Sequence, residues 1–120
     1  MIFNETKLPV VDNSGALTVK CFRIFKKSHG FIGDCLVVSV QTFRAGKKVK
    51  KGEVFKGIVV RTKFPFRRAT GNYISFEKNG LVLWKRKEDS PVGTRVRSIV
   101  PLELRFLGYM KIILLAGVTI

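Results

Sequence analysis

The sequence predicts a mainly β domain, a small barrel or sandwich of short strands joined by glycine turns. Eleven glycines are spread through the 120 residues. Runs rich in β-branched and aromatic side chains alternate with turn signals at roughly eight-to-twelve-residue spacing. No segment carries a long helical stripe. The length fits one domain, residues 1–120, large enough to bury about two-thirds of its unfolded surface.

The first turn signal is Asp12-Asn13-Ser14-Gly15, where Asx hydrogen bonding and positive φ favour a turn. Residues 16–26 read as a strand with imperfect alternation. Val19 and Cys21 share one face and Phe22 and Ile24 the other, so a bulge or a two-sided environment is expected. Residues 28–33 form a loop. Residues 35–43 follow as a strand with Leu36, Val38 and Val40 on one face and Ser39 and Gln41 on the other. A basic loop, 44–52, leads into a strand over 54–63 whose centre, Gly57-Ile58-Val59-Val60, is expected to be buried on both sides. Phe64-Pro65-Phe66 interrupts it. Thr70-Gly71-Asn72 is a hairpin turn. Residues 73–76 return, with Ile74 and Phe76 on one face. Asn79-Gly80 turns again, into a short buried strand over 81–84. Residues 101–107 read as a short helix with Pro101 in its first turn. Residues 110–116 are strand or helix; periodicity does not choose.

Lysine and arginine number 23 against eight acids, a formal charge of +15. A hydrophobic share of 46% excludes a disordered basic tail, which lacks the apolar mass to fold. The expectation is a folded domain with a cationic surface that seeks a polyanion, nucleic acid before membrane or acidic protein. The charge is concentrated. Arg44, Lys47, Lys48, Lys50, Lys51, Lys56, Arg61, Lys63, Arg67 and Arg68 face one acid, Glu53, so residues 44–68 hold +9 of the +15. Two loops carry most of it, one before and one after a buried strand, so an elongated track along RNA phosphates is expected rather than one compact pocket. The lysines are flexible point charges. Arg61, Arg67 and Arg68 offer planar forks for phosphate or a base. Phe64 and Phe66 interleave with the basic residues. They either stack on an unpaired base or cover the end of the barrel. Lys85-Arg86-Lys87 is partly neutralised by Glu88 and Asp89. Arg95 and Arg97 face one way on an extended segment, as a second contact surface or a solvated edge.

Signals for chemistry are poor. The one histidine, His29, sits in a Ser-His-Gly loop, and Cys21 and Cys35 are the only thiols. No His/Cys set completes a zinc site without carboxylates, no acid pair stands at readable spacing, and no glycine-rich phosphate motif is present, so no enzyme, no metal, no cofactor and no small-molecule substrate is expected. The cysteines read as two small buried hydrophobes in a reducing compartment, a disulfide being the alternative. Residues 1–9 contain an acid and an early proline and read as neither signal nor transit peptide. The longest apolar run, 112–118, is broken by Gly117 and is far shorter than the about 20 residues that span a bilayer, so no membrane partner is expected.

Several blocks carry a resemblance: Val11-Asp12-Asn13-Ser14-Gly15-Ala16, Val49-Lys50-Lys51-Gly52-Glu53-Val54, Val59-Val60-Arg61-Thr62-Lys63, Arg67-Arg68 with Gly71, Ile74, Phe76, Asn79 and Val82-Leu83, Pro91-Val92-Gly93-Thr94-Arg95, Glu103-Leu104-Arg105 and Met110-Lys111-Ile112. In this order and spacing, over essentially the whole chain, the sequence resembles the large-subunit ribosomal protein 14 family. The resemblance implies a small closed five-stranded β-barrel with a protruding basic β-ribbon and a short C-terminal helical part. It implies a non-catalytic structural role: binding large-subunit rRNA, packing beside ribosomal proteins 3 and 19, bridging to small-subunit rRNA, and docking of the ribosome-silencing factor. The rRNA contacts it implies among the basic residues are Lys50, Lys51, Arg61, Lys63, Arg67 and Arg68; the basic-loop reading adds Arg44, Lys47 and Lys48. Thr94, Arg95 and Lys111 would lie on the subunit-facing side, with Arg97 beside them.

Departures from the family pattern are Thr70 in place of an acid or amide, Arg97-Ser98-Ile99 in place of a Phe-Gly-Pro run, the segment after Ala116, Trp84 and the ten phenylalanines. A divergent member of bacterial length without a presequence resembles an organelle-encoded one. The expected location is the mitochondrial ribosome, ahead of a bacterial or plastid one. The competing reading is a free-standing single-strand-binding OB-like module, supported by Phe64, Phe66 and Tyr73 near basic residues.

Overall fold

The computed structural model describes residues 2–25, 28–47, 49–85 and 87–120. Eight strands and two helices follow in chain order: β1 Lys7–Pro9, β2 Ala16–Ile24, β3 Cys35–Phe43, β4 Val54–Arg61, β5 Phe66–Arg67, β6 Tyr73–Ile74, β7 Gly80–Lys85, β8 Ser90–Pro91, α1 Glu103–Phe106 and α2 Met110–Ala116. The fold is mainly β, as expected. Six strands form one antiparallel sheet in the order β1-β2-β3-β4-β7-β8, and β5 and β6 pair separately. The chain leaving β1 returns beside β7, where Val10 bridges Leu81 in parallel and the Val11 N–H donates to the Leu81 carbonyl at 3.0 Å. A single bridge joins these two elements, in contrast to the continuous ladder along the rest of the sheet.

The pattern of β3 survives intact: Leu36, Val38 and Val40 are buried while Ser39 and Gln41 are half-buried. The two-sided burial expected of β4 is also present. Val59 packs with Leu8, Val19, Val38 and Leu83 on one side of the sheet. Ile58 and Val60 pack with Val82, Trp84, Leu104 and Ile112 on the other. β7 alternates in the same way, with Leu81 and Leu83 in the first cluster and Val82 and Trp84 in the second. The helical segment therefore covers one face of the β4–β7 ladder. That packing settles 110–116 as helix: Ile112 is buried and Leu114 is exposed.

Some details correct the sequence reading. Phe22 and Ile24 do not share a face. A register shift between Cys21 and Arg23 lets Ile24 rejoin Val19 and Cys21 inside, leaving Phe22 exposed. β1 and β8 carry no sequence signal, because each is short and exists through its partner. The ribbon of β5 and β6 has only two residues per strand. Cys21 and Cys35 are free thiols, the first buried and the second half-buried with its Sγ 3.3 Å from the Tyr109 hydroxyl.

Candidate nucleic-acid interface

The interface is organised by the Asp12–Gly15 turn. Asp12 is buried, and its carboxylate accepts hydrogen bonds from the Ser14 N–H (3.1 Å), the Ser14 hydroxyl (2.6 Å) and, across the sheet, the Leu83 N–H (3.2 Å). Burial pushes its carboxyl above the ordinary carboxylate value, and these hydrogen bonds offset part of the rise. Asn13 clamps a distant segment. Its Oδ1 accepts from the N–H groups of Thr94 (2.7 Å) and Arg95 (3.0 Å), and its Nδ2 donates to the Thr94 hydroxyl (2.8 Å). The Arg97 N–H donates to the Val11 carbonyl at 2.7 Å. Val96, between the two arginines, is buried, so Arg95 and Arg97 are both thrown outward. By sequence alone Asp12 and Asn13 are only turn formers. Their Asx character is the signal, but the partners Leu83, Thr94 and Arg95 lie more than seventy residues away.

The loop between β3 and β4 is pinned from below. Val49 is buried, the Arg44 N–H donates to the Gly15 carbonyl at 2.8 Å, and the Gly52 N–H donates to the Val40 carbonyl at 2.9 Å. Glu53 turns its carboxylate onto the Lys50 N–H at 2.9 Å, so the one acid of the basic stretch caps the loop backbone. Arg44, Lys47, Lys50 and Lys51 are all exposed. Lys48 and Arg86 lie outside the described residues.

Beyond β4 the arginines and lysines diverge. Lys63 is exposed, and its N–H donates to Asn79 Oδ1 at 2.9 Å. Arg67 is exposed opposite Tyr73 in the ribbon. Arg61 is half-buried, with its Nε enclosed beside Gly80 and no hydrogen-bond partner there. Arg68 turns inward to the Glu103 carboxylate, its Nε 2.8 Å from Oε1. Lys111, on α2, donates through Nζ to the Asp89 carbonyl at 2.9 Å. Phe64 remains half-exposed, edge-on to Phe31, while Phe66 lines a cleft with Phe31, Ile32 and Phe106. Trp84 closes the other side of the sheet, donating through Nε1 to Asp89 at 3.0 Å and packing edge-on against Tyr109.

Two groups separate in sequence meet in space. Arg44, Lys47 and Arg97 line one small cleft over the Asp12–Gly15 turn, and Lys47 and Thr94 line the next. Among the described residues no cluster of His, Cys, Asp and Glu is placed to hold a metal ion, and no helix is long and apolar enough to cross a membrane.

The family model described as Ribosomal protein L14p/L23e matches residues 1–120. The chain belongs to this family. It is therefore a structural protein of the large ribosomal subunit rather than an enzyme. Membership in L14p/L23e implies binding to rRNA and to ribosomal proteins. Within this L14p/L23e fold the acids near the exposed cations around the Asp12–Gly15 turn and the 44–53 loop are drawn into backbone hydrogen bonds, leaving the positive charge facing outward.

Proposed function

We propose that residues 1–120 act as one RNA-binding unit of the large subunit, contacting its rRNA through Arg44, Lys47, Lys50, Lys51, Arg61, Lys63 and Arg67, with Lys48 in the same basic run. The observation that carries this reading is the 44–53 loop. Its described cations, Arg44, Lys47, Lys50 and Lys51, are exposed, its backbone is fixed by Val49 and Gly52, and its single carboxylate is occupied by the Lys50 N–H. Lysines and arginines held this way replace counterions on phosphates without first ordering a disordered chain. Arg68 braces the ribbon against α1 and positions Arg67 instead of reaching outward.

Thr94, Arg95, Arg97 and Lys111 form the face assigned to small-subunit rRNA at a bridge and to the ribosome-silencing factor; large-subunit ribosomal proteins 3 and 19 are the proposed neighbours. All four side chains belong to exposed residues, and Asn13 fixes the backbone of the first two. The departures at Arg97-Ser98-Ile99 and Trp84 favour a mitochondrial ribosome over a bacterial or plastid one. The test is sedimentation of mitochondrial extract carrying the tagged chain. Co-migration with the large subunit is expected. Recovery at the top of the gradient would overturn the reading in favour of a free-standing module.

A further inference from the structure

We propose that Arg44, Lys47 and Arg97 form one anion-binding groove over the Asp12–Gly15 turn, which takes phosphate groups of an RNA backbone. This rests on the rRNA-binding reading and deepens it, because it joins a residue of the subunit-facing group to the basic loop.

The three cations come from two chain segments far apart in sequence, the β3–β4 loop and the stretch beside Val11. Arg44 follows the end of β3, Lys47 stands in the loop, and Arg97 lies on the segment hydrogen-bonded to Val11. Glycines let the segments approach. A Cβ on Gly15, whose φ is +109°, would stand 2.4 Å from the Lys47 Cβ. One on Gly93 would stand 2.7 Å from Asn13 Oδ1. With both absent, the Lys47 stem lies directly on the turn and residues 93–95 seat on Asn13.

Electrostatics then favours a guest. The one carboxylate lining the cleft, Asp12, is buried and engaged by Ser14 and Leu83. Among the described residues, Arg44, Lys47 and Arg97 have no ion-pair partner. Like charges gathered without a counterion repel, and an anion placed between them relieves that repulsion. Two of the three are guanidinium forks, whose paired donors match phosphate oxygens. The cleft between the three cations is only about 30 Å³, so a phosphate sits at its mouth, and the adjoining cleft of about 280 Å³, lined by Asn13, Gly46, Lys47 and Thr94, continues the surface beyond it. It leaves room for the next nucleotide, which suits a backbone better than an isolated ion. Lys50 and Lys51 follow in the same loop and are exposed.

The experiment measures binding of the protein to its own purified large-subunit rRNA as a function of salt. For the triple variant R44A/K47A/R97A the slope of log K against log salt should fall by about 0.7–0.9 for each phosphate set free, roughly 2–3 in all. The charge-conserving variant R44K/K47R/R97K should keep the wild-type slope. If the triple variant does not fold, Arg97→Ala alone, at an exposed position, should lower the slope by about 0.7–0.9. An unchanged slope in a folded variant, with wild-type binding intact, overturns the groove and leaves the rRNA reading standing. Absence of rRNA binding by the wild type overturns both. Loss of binding to a polyglutamate peptide with rRNA binding unaltered would assign the groove to an acidic protein and overturn the proposal.

Discussion

The guanidinium of Arg68 is seated on the carboxylate of Glu103, with Nε 2.8 Å from Oε1 and a terminal nitrogen donating to Oε2 at 3.2 Å. The same terminal nitrogen also donates to the main-chain oxygen of Ile120. The short β5–β6 ribbon is thereby tied to α1, although the two elements are distant in sequence. Two strands of two residues each hold little on their own, since even a full two-stranded hairpin is marginal in water.

Replacing Glu103 by Ala is expected to lower stability by about 1–2 kcal/mol. The Arg68 side chain is 21% exposed and that of Glu103 34%, so screening limits their Coulomb attraction and most of the effect comes from leaving a partly enclosed guanidinium charge without its carboxylate. Amide exchange should show the same thing locally. Residues 68–74 should exchange faster in the variant, while β3 and β4 keep their protection. Uniform exchange across the ribbon and the sheet would show that the tether has no local role.

Asp12 joins the turn to β7 through the Leu83 N–H. Asp12→Ala leaves that buried donor unpaired and should cost about 1–3 kcal/mol by urea unfolding. The pH dependence has a definite sign. Burial raises the folded-state pKa above the ordinary 3.8, so the native chain holds this proton more tightly than the unfolded chain. The group's contribution is thus most favourable at low pH. It declines as pH rises from the ordinary value through the raised one, then stays constant. Asp12→Asn should remove that decline; persistence of the wild-type slope in the acid range would place the titration elsewhere.

Gly57 pairs with Leu83 in the antiparallel β4–β7 ladder. A Cβ there would meet the Leu81 side chain at 2.7, 2.8 and 3.0 Å, inside a core buried on both faces. Gly57→Ala is expected to destabilise by about 1–3 kcal/mol through overpacking, in spite of the better strand propensity of alanine. Relief by the companion change Leu81→Val would identify the clash. Equal melting temperatures of Gly57→Ala and wild type would contradict it.

Lys50 and Lys51 are exposed on a loop whose backbone is fixed by Val49, Gly52 and Glu53. Removing both lysines as Ala should flatten the salt dependence of rRNA binding by about 1.4–1.8 with no change in melting temperature. A drop in affinity that does not vary with salt would mean that these residues act through something other than phosphates.

The chain's class was legible because its signals are local. Alternation at Leu36, Val38 and Val40, the unbroken apolar run at Ile58-Val59-Val60 and the turn chemistry of Asp12–Gly15 each depend on neighbours within a few residues. The +9 between residues 44 and 68 is likewise read from composition alone and points to a polyanion partner. Tertiary structure alone decided matters that depend on distant pairing. The bulge at Cys21 turns Ile24 inward, docking against the Trp84 face makes 110–116 helical, and β1 and β8 exist only because the sheet supplies their partners. The same holds for the basic residues. Arg68 and Arg67 are adjacent, yet one is drawn to Glu103 and the other is left exposed, while Arg44 and Arg97, far apart in the chain, meet over one turn. Composition counts charges, but whether a cation faces an acid, a phosphate or another cation is set by which segments the packed core brings together.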